Sequence, residues 1–149
     1  MRLLLAAAAI LPFISTAAMA ESWYYTGGNE KTQTYVDLDS LRPIGSKIVV
    51  VTKSVYAEPL CGETDCTIGS GDIRSEWDCA GGYFRTLEYS YYDVDDNYIL
   101  TEASETINEH KVPSPGSINE ATQDFVCYRK GGEYVADPYA DARYQFEGY

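Results

Sequence analysis

Lys47-Ile48-Val49-Val50-Val51-Thr52-Lys53-Ser54-Val55-Tyr56-Ala57 decides the fold of this chain. Ile48, Val49, Val50, Val51, Val55 and Tyr56 are β-branched or aromatic, the residue types that fit a pleated strand. They fall on both parities of the alternation, so apolar groups point to both faces. A strand of that kind is central and covered on each side.

Working outward, Trp23-Tyr24-Tyr25 reads as a short strand ended by Gly27-Gly28-Asn29. Residues 32–38 form the next strand, with Tyr35 as its core residue, and 43–46 have turn chemistry. On the other side, Ile73, Ser75, Trp77 and Cys79 alternate with Arg74, Glu76 and Asp78. After Gly81-Gly82 the same period places Tyr83, Arg85, Leu87, Tyr89 and Tyr91 on one side. Asp93-Val94-Asp95-Asp96-Asn97 then turns the chain into a strand over 98–102. Short connections imply antiparallel pairing, because parallel strands need long crossovers.

One helix follows. Ser117 and Glu120 have capping-box spacing, and Ile118, Ala121, Phe125 and Val126 share a face that can lie on a sheet. Arg129-Lys130 suit its negative end, and Gly131-Gly132 supply the stop. The predicted fold class is α+β: a single antiparallel meander of about six strands, with one C-terminal helix packed on one face. The other face is expected to be free of helix.

Residues 1–20 have the layout of an export signal. Arg2 is the charged start, 3–14 the apolar run, and Ala18-Met19-Ala20 the small-x-small site, with cleavage predicted between Ala20 and Glu21. The apolar run is too short to span a bilayer, and no cysteine follows the cleavage point to carry a lipid. The expected location is therefore periplasmic or secreted, without a membrane anchor. The predicted organisation is a signal peptide over 1–20, one domain over 21–132 and an acidic, aromatic tail over 133–149. For the tail, two readings stay open: an added edge strand or a mobile end.

In an oxidising compartment the four cysteines are read first as staples. Of three connectivities we expect Cys61–Cys66, closing a small surface loop, and Cys79–Cys127, tying the end of an inward-facing strand to the last turn of the helix. Their spacings do not form paired CxxC units, which argues against zinc.

The formal net charge is −12, and about −13 once Arg2 is removed with the leader. That field repels phosphate backbones and anionic lipid, so nucleic acid is excluded as a partner. Fourteen tyrosines against four phenylalanines suit half-buried strands and also recognition surfaces.

Catalytic signatures are thin. His110 is the lone histidine, in a polar loop, with neither a nucleophile elbow nor another local signature beside it. The run from Asp93 resembles half a calcium loop, but the sixth position is Tyr98 and the twelfth Ser104, so a turn explains it. No catalytic, cofactor or metal residue is predicted. Arg85 is singled out as a structural anchor between strand and helix: alternation places it among tyrosines and Leu87, its guanidinium needs a carboxylate or carbonyls, and the helix C-terminus near Cys127 offers carbonyls.

The segment Glu76-Trp77-Asp78-Cys79, Arg85 six residues on, and Pro115-Gly116-Ser117 running to Phe125-Val126-Cys127 resembles the surface-adhesin protein E-like domain. Trp23 and the segment from Tyr35 to Ser40 fit the same pattern. The resemblance implies a six-stranded antiparallel sheet with a packed helix, stapled by the equivalent of Cys79–Cys127. The family's name comes from a bacterial surface protein that binds host matrix components, so the resemblance implies an envelope or extracellular protein partner, with a homodimer as a second mode. The expected function is a non-catalytic binding domain of the envelope. The alternatives are a structural or stress-related envelope component without a dedicated ligand, and a small hydrolase using His110.

Overall fold

The strand that decides the sequence reading lies at the centre of the sheet. The computed structural model describes residues 21–148; the leader expected over 1–20, including Ala20 of its cleavage point, lies outside them. Seven strands follow: β1 (Trp23–Gly28), β2 (Thr32–Ile44), β3 (Lys47–Leu60), β4 (Ile68–Asp78), β5 (Tyr83–Asp93), β6 (Tyr98–Ala103) and β7 (Glu133–Val135). The helices are α1 (Ile118–Tyr128) and α2 (Pro138–Phe146). The strands form one sheet in the order β6-β5-β4-β3-β2-β1-β7, antiparallel throughout.

Register assigns the faces. Val36, Thr52, Ile73 and Tyr89 lie in one cross-strand row, and Tyr35, Lys53, Asp72 and Ser90 in the next, so the two rows point to opposite sides. On the first face Val36, Val50, Trp77 and Phe84 pack with Phe125 and Val126 of α1. On the second, Trp23, Tyr35 and Val55 pack with Ala142 of α2, flanked by Tyr139 and Phe146. The expected fold class therefore stands, with a seventh strand and a second helix added. The expectation of a helix-free second face is corrected: residues 133–146 add the edge strand β7 and then cover that face with α2.

Local chemistry sets both helices. Ser117 caps α1 by accepting from the Glu120 amide at 3.1 Å, and the Glu120 carboxylate reaches back to the Gly116 amide at 2.7 Å. The stop falls at Arg129, not at the glycines. Arg129 adopts the left-handed conformation (φ 55°), and its guanidinium donates to the Phe125 and Val126 carbonyls. Gly132 is needed for space, since a Cβ there would lie 2.4 Å from the Phe125 ring. For α2, the Asp137 carboxylate accepts from the Tyr139 and Ala140 amides, and Pro138 opens the first turn. Asp141 is then met by the buried Tyr35 hydroxyl at 2.9 Å, which locks α2 onto β2.

One alternation differs from the sequence reading. Arg74 pairs with Glu88 but Ser75 pairs with Thr86, so Leu87 is an extra residue in β5. This bulge reverses parity. Phe84 and Thr86 face α1 and are buried, Tyr83 and Arg85 face the opposite side, and Tyr89 and Tyr91 return to the α1 side beyond the bulge.

Both expected disulfides are present. Cys61–Cys66 closes the β3–β4 loop over 5 residues, and Cys79–Cys127 ties the end of β4 to α1 over 48. Loop-closure entropy makes the long bond worth about 4 kcal/mol and the short one about 2 kcal/mol. Replacing the Cys79–Cys127 pair by alanines should thus lower the denaturant midpoint about twice as far as replacing Cys61–Cys66. Equal shifts, or the reverse order, would contradict this account.

Candidate functional site

The two edges of the sheet are unlike. At one, β7 is only three residues long and completes β1. At the other, β6 is exposed along its whole length and has no further partner strand among the described residues. The Ser104 amide bonds back to the Leu87 carbonyl, so by alternation the amides of Ala103 and Thr101 point away from β5. The sequence here is Tyr98-Ile99-Leu100-Thr101-Glu102-Ala103, with Tyr98 60%, Leu100 42% and Ile99 38% exposed. A long apolar edge with outward amides is a template for another chain.

A groove of about 600 Å³ runs beside this edge. Leu60, Ile68, Tyr91 and Leu100 contribute apolar wall, the Cys61–Cys66 loop forms one side, and Glu63, Asp65 and Glu102 supply carboxylates. It stays open because α1 packs chiefly on β1 to β4 and clusters with β5 through Phe84, at the end of that strand away from Tyr91. Tyr89 and Tyr91 continue the surface with parallel rings 5.9 Å apart. The Tyr91 hydroxyl has its pKa pushed up to about 12, chiefly by burial and then by its hydrogen bond to Glu102. It is thus a neutral donor at physiological pH.

The opposite face is organised by ion pairs. Lys53, only 6% exposed, lies 2.7 Å from Asp72 Oδ1, an oxygen that no hydrogen-bond donor reaches besides the ammonium. The rings of Trp23, Tyr92 and Tyr139 surround the ammonium at 4.9 to 5.3 Å. Tyr139 also bonds Ser70 at 2.8 Å and Asp96. Nothing in the sequence pattern marks Lys53 as buried; its position midway along β3 was the only available signal.

Arg85 sits further along this face. Its guanidinium grips Glu76 of β4 with two bonds, at 2.9 and 3.2 Å, and Lys47 of β3 reaches the same carboxylate at 3.0 Å. The partner of Arg85 is thus a carboxylate, one of the two expected kinds, while the α1 carbonyls that would have tied it to the helix are held by Arg129. The cause is the Leu87 bulge, which turns Arg85 to the side away from α1. Arg85 therefore ties strand to strand.

His110 is exposed and stacks on Tyr83 at 4.2 Å, and no hydrogen bond joins it to a hydroxyl or carboxylate among the described residues. The Asp93 carboxylate is consumed by its own turn, accepting from the Asp95 and Asn97 amides and the Asn97 side chain. Among the described residues no group of three or more potential metal ligands assembles, and no helix is long and apolar enough to cross a membrane.

The stapled antiparallel sheet thus ends in a short edge strand, β7, on one side and in the longer, exposed β6 with a groove beside it on the other. The sequence model of the family described as Surface-adhesin protein E matches residues 23–128, and the chain belongs to that family. The match covers β1 to α1 and ends before β7 and α2. No curated protein and no solved structure matches the chain.

The Arg85–Glu76–Lys47 cluster gives a pH signature. The two cations, Arg85 foremost, hold the Glu76 carboxyl below the usual carboxylate range. A carboxyl depressed by folding contributes stability above its unfolded pKa of about 4.3, and that contribution is lost as pH falls through the lower folded value. Arg85→Met should lower Tm at neutral pH, with the gap to wild type closing below about pH 4. A gap unchanged in acid would show that Arg85 acts by packing alone.

Proposed function

We propose that this protein is a non-catalytic, exported binding domain that captures an extended, basic segment of a partner protein along β6. The observation that carries the reading is the open edge itself: six exposed residues, with the amides of Thr101 and Ala103 turned outward, beside an apolar groove set with carboxylates. Backbone pairing along an edge supplies affinity with little sequence demand, and the groove selects the side chains that alternate into it. Glu63, Asp65 and Glu102 in the groove, and Asp93, Asp95 and Asp96 in the adjoining turn, favour lysine and arginine in the occupant. The net charge of −12 extends the same preference over long range and raises the association rate.

Charge also ranks the partners. Two copies joined β6 to β6 would bring their acidic margins together, so a heterologous basic chain is favoured over a second copy. Membership of the surface-adhesin protein E family supports a partner outside the cell or in its envelope. Export by cleavage at Ala20–Glu21 and an oxidising compartment belong to the same reading, and the two disulfides support it.

An array of overlapping peptides from envelope and extracellular-matrix proteins, probed with the labelled protein at low and high salt, tests the proposal. Binding should concentrate on extended peptides of net positive charge and weaken with salt. Leu100→Lys, which puts a like charge into the groove, should reduce it at least about tenfold, the equivalent of about 1.4 kcal/mol. Glu30→Lys at the distant β1–β2 turn should matter far less. Binding indifferent to peptide charge, or untouched by Leu100→Lys, would overturn the reading, and concentration-dependent dimers lost in Leu100→Lys would favour the second copy.

A further inference from the structure

The layer between α1 and the sheet has a dry end and a polar end. Near the C-terminus of α1 the contacts are Val36, Val50, Phe125 and Val126. Toward its N-terminus the sheet offers hydroxyls. Thr34, Ser54, Ser75 and Thr86 come from four adjacent strands, are each at most 7% exposed, and line a cavity of about 210 Å³. None of these four hydroxyls has a hydrogen-bond partner among the described residues. Trp77, 2% exposed, forms part of the wall, and its Nε1 is also without a partner. A buried donor left unsatisfied costs about 1–3 kcal/mol, so the Trp77 indole N–H, with four free hydroxyls facing the same space, calls for a polar occupant.

The lining defines that occupant. It contains no carboxylate, which excludes a cation. Its sole cation, Lys111, already donates to the Thr106 hydroxyl at 2.9 Å, so an anion would find no dedicated counter-charge. An apolar molecule would leave the hydroxyls and the indole unsatisfied. Hydroxyls both donate and accept, so the complement must do the same, and the ring faces of Trp77, Phe84 and Tyr89 suit C–H surface. At about 30 Å³ per water the space equals about seven waters, the size of one sugar ring. Asn119, exposed in the first turn of α1, and half-buried Lys111 mark the way in.

We infer that this cavity is a binding site for a small, neutral, polyhydroxylated molecule of monosaccharide size, independent of the β6 groove. Trp77 Nε1 donates to a ligand oxygen, and the row of strand hydroxyls meets the remaining ones. Lys111 and Asn119 close over the outer side.

The chain's two tryptophans make the test internal. Trp23 Nε1 is bonded to Glu21 on the other face, so its indole N–H resonance is a built-in control. ¹⁵N-labelled protein is titrated with glucose, galactose, mannose and glycerol, and separately with acetate and ethylammonium. At least one of the neutral polyols should shift the Trp77 indole peak saturably while that of Trp23 stays fixed. Thr86→Val replaces a hydroxyl with a methyl group of similar volume, and Ser75→Ala removes one without adding bulk. Each should keep Tm at or above wild type and weaken binding about tenfold or more. No selective Trp77 shift up to roughly 0.1 M, well past millimolar affinity, would overturn the inference and leave a hydration cavity. So would preference for acetate or ethylammonium, or binding that survives both Thr86→Val and Ser75→Ala.

Discussion

Two-sided burial of β3 is the constraint on which the rest of the molecule depends. A strand with Val50 on one face and Val55 and Lys53 on the other is stable only if something covers each side. The chain provides both covers from sequence that follows the meander. α1 crosses one face and is fixed by Cys79–Cys127. α2 returns on the other and is fixed by Tyr35–Asp141 and by the ring of aromatics around Lys53. The second cover includes a desolvated ammonium, costly unless paired, and Asp72 together with three aromatic faces offsets that cost. Tyr139 contributes one of those faces from α2 itself, so the helix and the buried charge stabilise each other.

The same arrangement explains where open surface remains. With β1 partly covered by the short β7 and both faces of the central strands packed by helices, the longest open margin is the β6 edge and the groove under the Cys61–Cys66 loop. The polar end of the α1 layer is a second opening of a different kind. It is a cavity held between rigid elements and scaled to a small molecule, whereas the edge is scaled to a chain. Both lie on the α1 side of the sheet and share β3, β4 and β5, but no residue lines both, so occupation of one does not require rearrangement of the other.

Much of the fold could be read in the residues. The doubled apolar pattern at Ile48–Val51 gave β3 its central place, the Ser117–Glu120 spacing gave α1 its start, and the cysteines gave both staples. The failures have local causes. A bulge adds one residue without a compositional mark, so alternation carried past Leu87 put Arg85 on the wrong side. Asp137-Pro138 is a sound helix start, but α2 has little amphipathic contrast because its buried contacts are Tyr139, Ala142 and Phe146 among charged neighbours. The cavity was hidden for a similar reason: Thr and Ser are ordinary strand residues, and only pairing register shows Thr34, Ser54, Ser75 and Thr86 gathered beneath one helix.

Truncation after Gly132 tests the central claim most directly, because it removes β7 and α2 while sparing the meander, α1 and both disulfides. If β3 depends on cover from both sides, Trp23 will emit further to the red, an apolar dye will bind the uncovered face, and Tm will fall. A truncated chain that melts with the full-length protein and keeps its Trp23 emission would mean that the second face needs no cover.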